Sequence, residues 1–236
     1  IDFGGWTLFQ KTLLRIKNPM FDYPIISTNL FYLNLVRKHL SRCKIKKYKI
    51  ILEPFKKNTA PAILSCALLK EVNYEQPMVF FPADHLIEKT NLLNRSINLN
   101  KKYLNEYNIF IFGIKPNSPS SQYGYFLTKN ISKNLNKVIK FIEKPNVNKA
   151  RKIIKKKGYW NSGILFASKI SIINNFQKYQ TKILNHCIEA VYKSKVSNNA
   201  YYLDKKSFQR ISATSIDYAI LEKSKNINTI KLNIPW

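Results

Sequence analysis

Two kinds of hydrophobic pattern alternate along the chain. Short apolar runs predict buried strands at 49–52, 78–81, 108–114, 138–142, 163–167 and 229–234. Apolar residues at helical spacing predict helices at 8–16, 29–40, 62–72, 86–107, 147–156, 169–179, 182–192 and 216–223. This alternation is typical of α/β proteins, in which helices pack on a sheet. We therefore expect a Rossmann-like, mixed and mostly parallel sheet flanked by helices, formed by one domain over residues 1–236.

Two helix boundaries carry signals of their own. Thr59 comes shortly before Pro61, and this order is typical of a helix N-terminus, because a hydroxyl caps the first amides and proline has no N–H to satisfy. Gly158 follows the basic segment 147–156, where glycine is typical of a helix end. We expect Thr59 to cap one helix and Gly158 to close the other.

Composition indicates a globular protein and excludes several classes. The chain has 236 residues with 45% hydrophobic and 13% aromatic content, which is enough for one sizeable core. No apolar run approaches the roughly 20 residues that cross a bilayer, and residues 1–10 lack a signal-peptide pattern. The cysteines are three, far apart, and the histidines form no pair at metal-ligand spacing. We expect a cytoplasmic protein with no membrane segment, no disulfide framework and no zinc.

The net charge of +27 raises the question of nucleic-acid binding, because basic proteins gain affinity for phosphate backbones. The lysines are scattered, with local runs only at 44–49 and 151–157, and Ile and Asn are abundant as well. No zinc-finger spacing, RNP-like strand or helix-turn-helix pattern accompanies the charge. We interpret it as background composition and expect no nucleic-acid partner. Charge-driven polyanion binding stays a third functional hypothesis, which predicts affinity that collapses with salt.

Polar residues stand at the ends of the predicted strands, where open α/β sheets bind their ligands. They are Glu53 and Pro54, Asp84 and His85, Glu143 and Lys144, and, just before another strand, Asn161 and Ser162. Carboxylates, an ammonium and an amide are groups that can hold a sugar phosphate and a divalent cation. We therefore predict that the ligand-binding site lies at these strand ends.

Asp84 is the candidate metal ligand. A carboxylate is a hard oxygen donor, and Mg²⁺ takes only one or two carboxylates while keeping phosphate oxygens and waters as its other ligands. Asp84 could equally cap a helix that begins near Leu86. Spacing alone does not separate the two interpretations.

The other candidates also have structural alternatives. Glu143 and Lys144 could bind sugar hydroxyls and a phosphate, or form a solvated turn. Asn161 has the donors and acceptors that suit vicinal hydroxyls, but Asn before Ser and Gly is also an ordinary turn. Gly124 could let a ligand approach the backbone, or mark a bulge.

Six segments in order along nearly the whole chain resemble the mannose-1-phosphate guanylyltransferases. They are ILEPFKKNTAPAI (51–63), FPADHLI (81–87), FGIKPNSPSSQYGYF (112–126), FIEKPN (141–146), GYWNSGILFA (158–167) and SIDYAILEKS (215–224). Within the sugar nucleotidyltransferases, this combination of segments resembles the enzymes that join a guanylyl group to mannose rather than those that join a uridylyl or thymidylyl group to glucose. The resemblance implies the nucleotide-diphospho-sugar transferase fold and the conversion of GTP and mannose 1-phosphate to GDP-mannose and pyrophosphate.

The same resemblance implies a set of site residues. Asp84 would hold Mg²⁺, and Asp84 and Lys144 would be catalytic. Sugar-phosphate contacts would come from Gly124, Tyr125, Glu143, Lys144, Asn161 and Gly163. Nucleotide contacts would come from Glu53, Pro54, Asn58, Thr59, Ala60 and Pro82, with free backbone amides at the helix N-terminus near Thr59. A homo-oligomer and a following isomerase domain are both compatible with the family.

The sequence departs from the family pattern in several places. The family's glycine-rich loop with its Arg and Pro-Lys-Gln segment, and its second metal-binding Asp in a Trp-x-Asp-x-Gly setting, have no counterpart here. Lys56–Lys57 occupy the positions of the family's Gly-Arg, and Ser120–Gln122 occupy those of its Glu-Thr-Gly. Lysine lacks the forked geometry of arginine. We expect a partial sequence of an active enzyme, inactive by itself. The alternatives are a non-catalytic sugar-nucleotide-binding paralogue or another sugar-1-phosphate nucleotidyltransferase.

Overall fold

A computed structural model describes residues 4–132 and 135–234. The helices in these ranges are α1 (Leu8–Ile16), α2 (Leu33–Arg42), α3 (Thr59–Ala67), α4 (Thr90–Asn100), α5 (Val147–Lys155), α6 (Lys169–Tyr179), α7 (Thr181–Tyr192) and α8 (Lys205–Gln209), with a π-helical turn at Asp217–Leu221. The strands are β1 (Ile25–Asn29), β2 (Lys49–Glu53), β3 (Pro77–Phe80), β4 (Ile109–Ile114), β5 (Tyr125–Ser132), β6 (Leu135–Ile142), β7 (Tyr159–Ser168), β8 (Lys195–Ser197), β9 (Ala200–Tyr202) and β10 (Ile227–Leu232). None of these helices is long and apolar enough to cross a membrane.

The described residues form two compact units, each with its own sheet. Unit 1 contains the residues up to Val72 together with Pro82–Leu86 and Thr181–Thr214, and unit 2 contains Asn73–Phe81, Ile87–Gln180 and the residues from Ser215 onward. The single domain expected from length stays a prediction. A mixed α/β fold with helices flanking its sheets is confirmed.

Unit 1 is built on a four-stranded sheet in the order β1-β2-β9-β8. The pairs β1–β2 and β2–β9 are parallel, whereas β8 and β9 form an antiparallel hairpin. Asn198 and Asn199 in its turn both have positive φ, 48° and 62°, a conformation that asparagine tolerates better than most residues. Helices α1 and α2 contribute to one hydrophobic cluster with the central strands, formed by Leu13, Leu33, Val36, Leu40, Cys43, Ile50, Leu52 and Ala200.

Unit 2 is built on a six-stranded sheet in the order β3-β7-β4-β10-β6-β5, and β5 also pairs with β7. Pairing is parallel between β4 and β10 and antiparallel elsewhere. Strand β4 is buried over its whole length, as is typical of a strand that is covered on both faces of its sheet. Strand β7 begins at Tyr159 rather than near 163, so Asn161 and Ser162 lie inside the strand and not before it.

Several predicted element boundaries were wrong, and each has a local cause. Residues 25–29 form β1 and the next three a 3₁₀ turn, so α2 starts at Leu33 and not at Asn29. Asn29 instead caps that turn, its side chain accepting a hydrogen bond from the Phe31 N–H at 2.9 Å. The cap of α3 is Asn58 rather than Thr59, and α3 ends at Ala67 rather than 72.

Helix α4 begins at Thr90, not near Leu86, and its N-cap position is Lys89. The interpretation of Asp84 as a helix cap is therefore wrong.

The end of α5 also differs from its prediction. Lys157, not Gly158, takes the left-handed conformation, with φ 57°. The Gly158 N–H donates to Ile153 O at 3.0 Å and the Lys157 N–H to Ile154 O at 2.8 Å, the hydrogen-bond pattern of a Schellman motif. Glycine at 158 has a different cause, because a Cβ there would lie 2.4 Å from Ile153 Cγ2.

Candidate functional site

Asn161, within β7, makes directed polar contacts through both its backbone and its side chain. Its N–H donates to Gly124 O at 2.8 Å. The side-chain Nδ2 donates to Asp217 Oδ1 at 3.0 Å, and Oδ1 accepts from the Gly163 N–H at 3.2 Å. Gly163 has φ 73°, in the left-handed region that favours glycine. The amide is therefore held in one orientation and keeps one N–H and one lone pair for a ligand.

Glu143 follows β6 and lies over the backbone of Gly124. A Cβ added to Gly124 would be 2.6 Å from Glu143 Oε2 and 3.1 Å from Phe141 Cζ. The sequence suggested two reasons for glycine here, the approach of a ligand to the backbone or a bulge. The group that approaches Gly124 is the carboxylate of the protein itself, and the approach of a ligand stays a prediction. A register shift between β5 and β6 lies further on, at Leu127 and Thr128.

Gly124, Glu143, Asn161, Asp217 and Glu222 form what we call the carboxylate–amide cluster. Asp217 and Glu222 come from the π-helical turn and the residue after it. Glu222 Oε1 accepts a hydrogen bond from the Glu143 N–H at 2.9 Å. The cluster thus joins the start of β5, the end of β6, the middle of β7 and the π-helical turn, all within unit 2.

Among the described residues, the cluster brings three carboxylates into the neighbourhood of Lys144. Burial, then the charge of Asp217 and also that of Glu222, raise the pKa of Glu143 to about 7, while Lys144 lowers it. Burial likewise raises the pKa of Asp217, although hydrogen bonds from Asn161 and Ser215 and the charge of Lys144 oppose the shift. The cluster is therefore rich in acceptors, which suits a ligand that brings several hydroxyl donors.

Lys144 is exposed and has a positive φ of 44°. Left-handed backbone is unfavourable for a residue with a Cβ, and such conformations concentrate at functional sites. The conformation turns the chain directly after Glu143. The exposed ammonium is available to neutralise an anion.

Tyr125 is placed differently from the other predicted sugar-binding residues. Its side chain is fully buried, and its hydroxyl accepts a hydrogen bond from the Ser120 N–H at 2.9 Å. The ring contacts Trp160 edge-on. Tyr125 therefore anchors the loop before β5 and has no side-chain atom exposed to a ligand.

Sequence reasoning did not select Asp217 or Glu222, although both lie in a segment quoted for the family resemblance. That segment was predicted to be an α-helix, in which residues five apart diverge by about 140°. The π-helical turn, closed by the Glu222 N–H donating to Asp217 O at 2.9 Å, brings positions five apart closer together. The two acidic residues of this segment were the signal from which the sequence could have indicated a role in the site.

In unit 1, Glu53 stands at the end of β2 and is tied to β1. Ser27 Oγ donates to Glu53 Oε1 at 2.5 Å, and Asn29 Nδ2 donates to Glu53 O at 3.2 Å. Burial raises the pKa of Glu53, while the Ser27 hydrogen bond lowers it. Pro54 follows, partly exposed.

The N-terminus of α3 does not offer the free amides that the resemblance implied. The Thr59 N–H is bonded to Asn58 Oδ1 at 2.8 Å, and the Ala60 N–H to Thr214 O at 3.2 Å. The next residue is Pro61, which has no N–H. Asn58 reaches its partner with a positive φ of 69°, and Ala60 is fully buried. Nucleotide contacts by this segment stay a prediction, carried by the exposed side chains of Asn58 and Thr59.

Asp84 lies on an exposed loop of unit 1 that starts at Pro82. Its side chain is 82% exposed, with Oδ1 4.0 Å from His85 Nε2. Arg15 donates to His85 O at 2.9 Å and ties the loop to α1. No group of three or more His, Cys, Asp or Glu suited to a metal occurs within residues 4–132 and 135–234. A single accessible carboxylate fits Mg²⁺, which takes most of its ligands from phosphates and water.

Comparisons with known proteins agree with this fold. A family model described as nucleotidyl transferase matches residues 1–209. An alginate biosynthesis protein AlgA of Pseudomonas fluorescens is 30% identical over 238 residues, covering 99% of this chain and 49% of the relative. A mannose-1-phosphate guanylyltransferase of Escherichia coli is 31% identical over 239 residues, covering 98% of this chain and 52% of the relative. This chain therefore spans about half the length of these curated relatives.

Two crystal structures are similar to the whole chain. One, described as mannose-6-phosphate isomerase from Helicobacter pylori, has a TM-score of 0.89 and 27% identity, covering 100% of this chain and 91% of the other. A second, described as mannose-1-phosphate geranyltransferase from Thermus thermophilus, has a TM-score of 0.84 and 21% identity, covering 99% and 66%; it supports the fold alone. The family model matches residues 1–209, which is most of the chain, so the chain belongs to the nucleotidyl transferase family.

Proposed function

We propose that this protein transfers GMP from GTP to mannose 1-phosphate, giving GDP-mannose and pyrophosphate for GDP-sugar and polysaccharide biosynthesis in the cytoplasm. The observation that carries the proposal is the carboxylate–amide cluster, in which an oriented amide and an acceptor carboxylate meet over a glycine. The description of the E. coli relative supports the choice of mannose and GTP.

The sugar would bind through its hydroxyl groups. A carboxylate accepts two hydrogen bonds from neighbouring hydroxyls, so Glu143 serves as the acceptor. Asn161 offers its remaining N–H and lone pair to a vicinal hydroxyl. Gly124, having no Cβ, leaves room for the Glu143 carboxylate that would meet the sugar. The exposed Lys144 faces the phosphate and neutralises part of its charge.

The reaction needs alignment and charge neutralisation rather than a covalent intermediate. A phosphate oxygen of the sugar attacks the α-phosphorus of GTP in line. The new P–O bond forms as the bond to the pyrophosphate breaks, and pyrophosphate leaves. Lys144 stabilises the charge on the attacking phosphate. Asp84 supplies the carboxylate that would hold Mg²⁺, whose chemistry is to neutralise phosphate charge.

The family resemblance implies a separate set of nucleotide contacts. They are Glu53, Pro54, Pro82 and the exposed side chains of Asn58 and Thr59, without Ala60, which is buried and has its N–H bonded to Thr214 O. Lys57 donates from Nζ to Gln209 O at 2.9 Å, so its ammonium is oriented by the protein.

The test is pyrophosphate release with a matrix of GTP, ATP and UTP against mannose 1-phosphate and glucose 1-phosphate. We expect turnover of GTP and mannose 1-phosphate by the whole protein, and none by residues 1–236 alone. Glu143→Gln and Asn161→Ala should raise KM for mannose 1-phosphate roughly tenfold or more, because hydrogen bonds to charged groups contribute about 1.5–3 kcal/mol. Asn148→Ala, an exposed residue of α5, is the control and should change nothing.

Other outcomes identify the alternatives. A preference for another nucleotide and sugar phosphate would make the protein a different sugar-1-phosphate nucleotidyltransferase. Calorimetric binding of GDP-mannose without turnover would support the non-catalytic paralogue. Because the H. pylori structure is described as a mannose-6-phosphate isomerase, isomerisation of mannose 6-phosphate is assayed in parallel; that activity alone would contradict our proposal.

A further inference from the structure

We propose that Asp217 and Glu222, at the two ends of one π-helical turn, are positioning residues that hold Asn161 and Glu143 for the sugar. This inference rests on the proposed function, because it concerns the same sugar site. It assigns roles to two residues that do not have to touch the substrate.

Asp217 sets the orientation of the Asn161 amide. A carboxylate only accepts hydrogen bonds, so it requires Nδ2 on its side, where Nδ2 lies 3.0 Å from Asp217 Oδ1. The Gly163 N–H only donates, so it requires Oδ1 on the other side, at 3.2 Å. A rotated amide would place oxygen against oxygen and N–H against N–H. Together the two contacts decide which amide atom a sugar hydroxyl meets.

Glu222 holds the backbone of Glu143. Its Oε1 accepts the Glu143 N–H at 2.9 Å, at the point where β6 has ended and the chain turns through Lys144 with φ 44°. An amide at such a turn has no strand partner, and Glu222 provides one. The bond fixes the residue whose Oε2 lies where a Cβ of Gly124 would be.

The π-helical turn places both carboxylates from a fixed base. Ala219, Ile220 and Leu221 within the turn are buried, and Gln180 Nε2 donates to Ala219 O at 3.2 Å. π-helical turns are uncommon and occur often at functional sites. Here the turn presents Asp217 to β7 and Glu222 to the end of β6.

A purely structural role explains the arrangement less well. Burial and the charges of the two neighbouring carboxylates raise the pKa of Glu143, and Lys144 lowers it. Neutral side chains such as Asn or Gln would make similar hydrogen bonds without this repulsion. The charge is understandable if the site must orient a donor amide and present acceptors to sugar hydroxyls.

The test measures KM for mannose 1-phosphate and for GTP separately, with kcat and thermal stability, in Asp217→Ala, Glu222→Ala and Glu222→Gln. We expect Asp217→Ala and Glu222→Ala to raise KM for the sugar phosphate at least about tenfold and to leave KM for GTP within about twofold. Glu222→Gln keeps an acceptor for the Glu143 N–H, so it should restore most of the loss. Glu75→Gln, an exposed residue of the same unit, is the matched control.

A second measurement does not depend on turnover. NMR of the Asn161 side-chain amide should show one Nδ2 proton shifted downfield and protected from exchange with solvent by its hydrogen bond to Asp217, and Asp217→Ala should remove both the shift and the protection. If the unsubstituted protein turns over no sugar phosphate, the proposed function fails while this result still supports the orienting role. Unchanged amide signals, or KM values for both substrates that move together with the melting temperature, would overturn the inference.

Discussion

The carboxylate of Glu143 occupies the space in which a side chain on Gly124 would begin. A Cβ built at Gly124 lies 2.6 Å from Glu143 Oε2, and Asn161, whose own N–H is bonded to Gly124 O, lies beside it with its Cβ 3.5 Å away. The absence of one methyl group therefore allows a carboxylate and an amide to meet on the same stretch of backbone.

Gly124→Ala should damage ligand binding more than folding. The added methyl must displace Glu143, whose side chain is flexible at its far end, and press on Phe141; overpacking of this kind costs about 1–3 kcal/mol. We expect the affinity for mannose 1-phosphate to fall about tenfold, equivalent to roughly 1.4 kcal/mol, as measured by calorimetry. Ser121→Ala, an exposed change in the same loop, is the control. Equal affinities of the two variants for mannose 1-phosphate would contradict the role of Glu143 as a sugar-binding residue.

Glu143 should make the stability of the free protein depend on pH. Its pKa is raised from 4.5 to about 7, so between these values the folded state holds a proton that the unfolded state has lost. Stability from this group is therefore complete below about pH 4.5 and is lost as the pH rises through about 7.

Denaturant unfolding between pH 4 and 8 measures this effect. The free energy of unfolding of the unsubstituted protein, relative to that of Glu143→Gln, should fall as the pH rises through this interval. Using the difference between the two proteins removes the contribution of Glu53, whose pKa is also raised. Asp217 acts on the pKa of Glu143, so the difference reports the joint titration of these two carboxylates. A difference that is flat with pH would show that Glu143 is ionised as in water.

Lys157→Gly should stabilise the protein. Lys157 has φ 57° at the end of α5, and left-handed backbone costs a residue with a Cβ about 1–2 kcal/mol. We expect a gain of about 1 kcal/mol in the free energy of unfolding, less the entropy of the added glycine. The adjacent Lys156→Gly, at a right-handed φ of −84°, should lower stability instead. Chemical denaturation of both variants decides, and a gain in Lys156→Gly would contradict the backbone explanation.

The sequence predicted the fold well where periodicity was strong. Helices α1 and α6 were predicted with the bounds observed, Leu8–Ile16 and Lys169–Tyr179, because their apolar residues follow a helical period without interruption. Strand β5 was missed, because its second half is exposed and polar and has no apolar run. Strand β1 was not recognised, and a helix was predicted to start at its last residue, Asn29.

The site was predictable only in part. Residues at strand ends could be selected one by one, and Gly124, Glu143 and Asn161 do meet in unit 2. Their meeting depends on the pairing of β5 with both β6 and β7, which no single segment encodes. The loss of free amides at α3 depends on Thr214, which is distant in sequence. Asp217 and Glu222 were not predicted as a pair, because residues five positions apart point in different directions on the α-helix that was predicted for this segment.

The most direct test of the proposed sugar site is calorimetric titration of mannose 1-phosphate into the unsubstituted protein and into Asn161→Asp. The substitution keeps the size of the side chain but replaces the Nδ2 donor with an oxygen opposite Asp217 Oδ1, so the cluster loses its orienting hydrogen bond and gains a repulsion. We predict measurable binding in the unsubstituted protein and a loss of at least about tenfold in Asn161→Asp, with the fold retained. Equal binding of mannose 1-phosphate by the two proteins would contradict the assignment of the carboxylate–amide cluster as the sugar site.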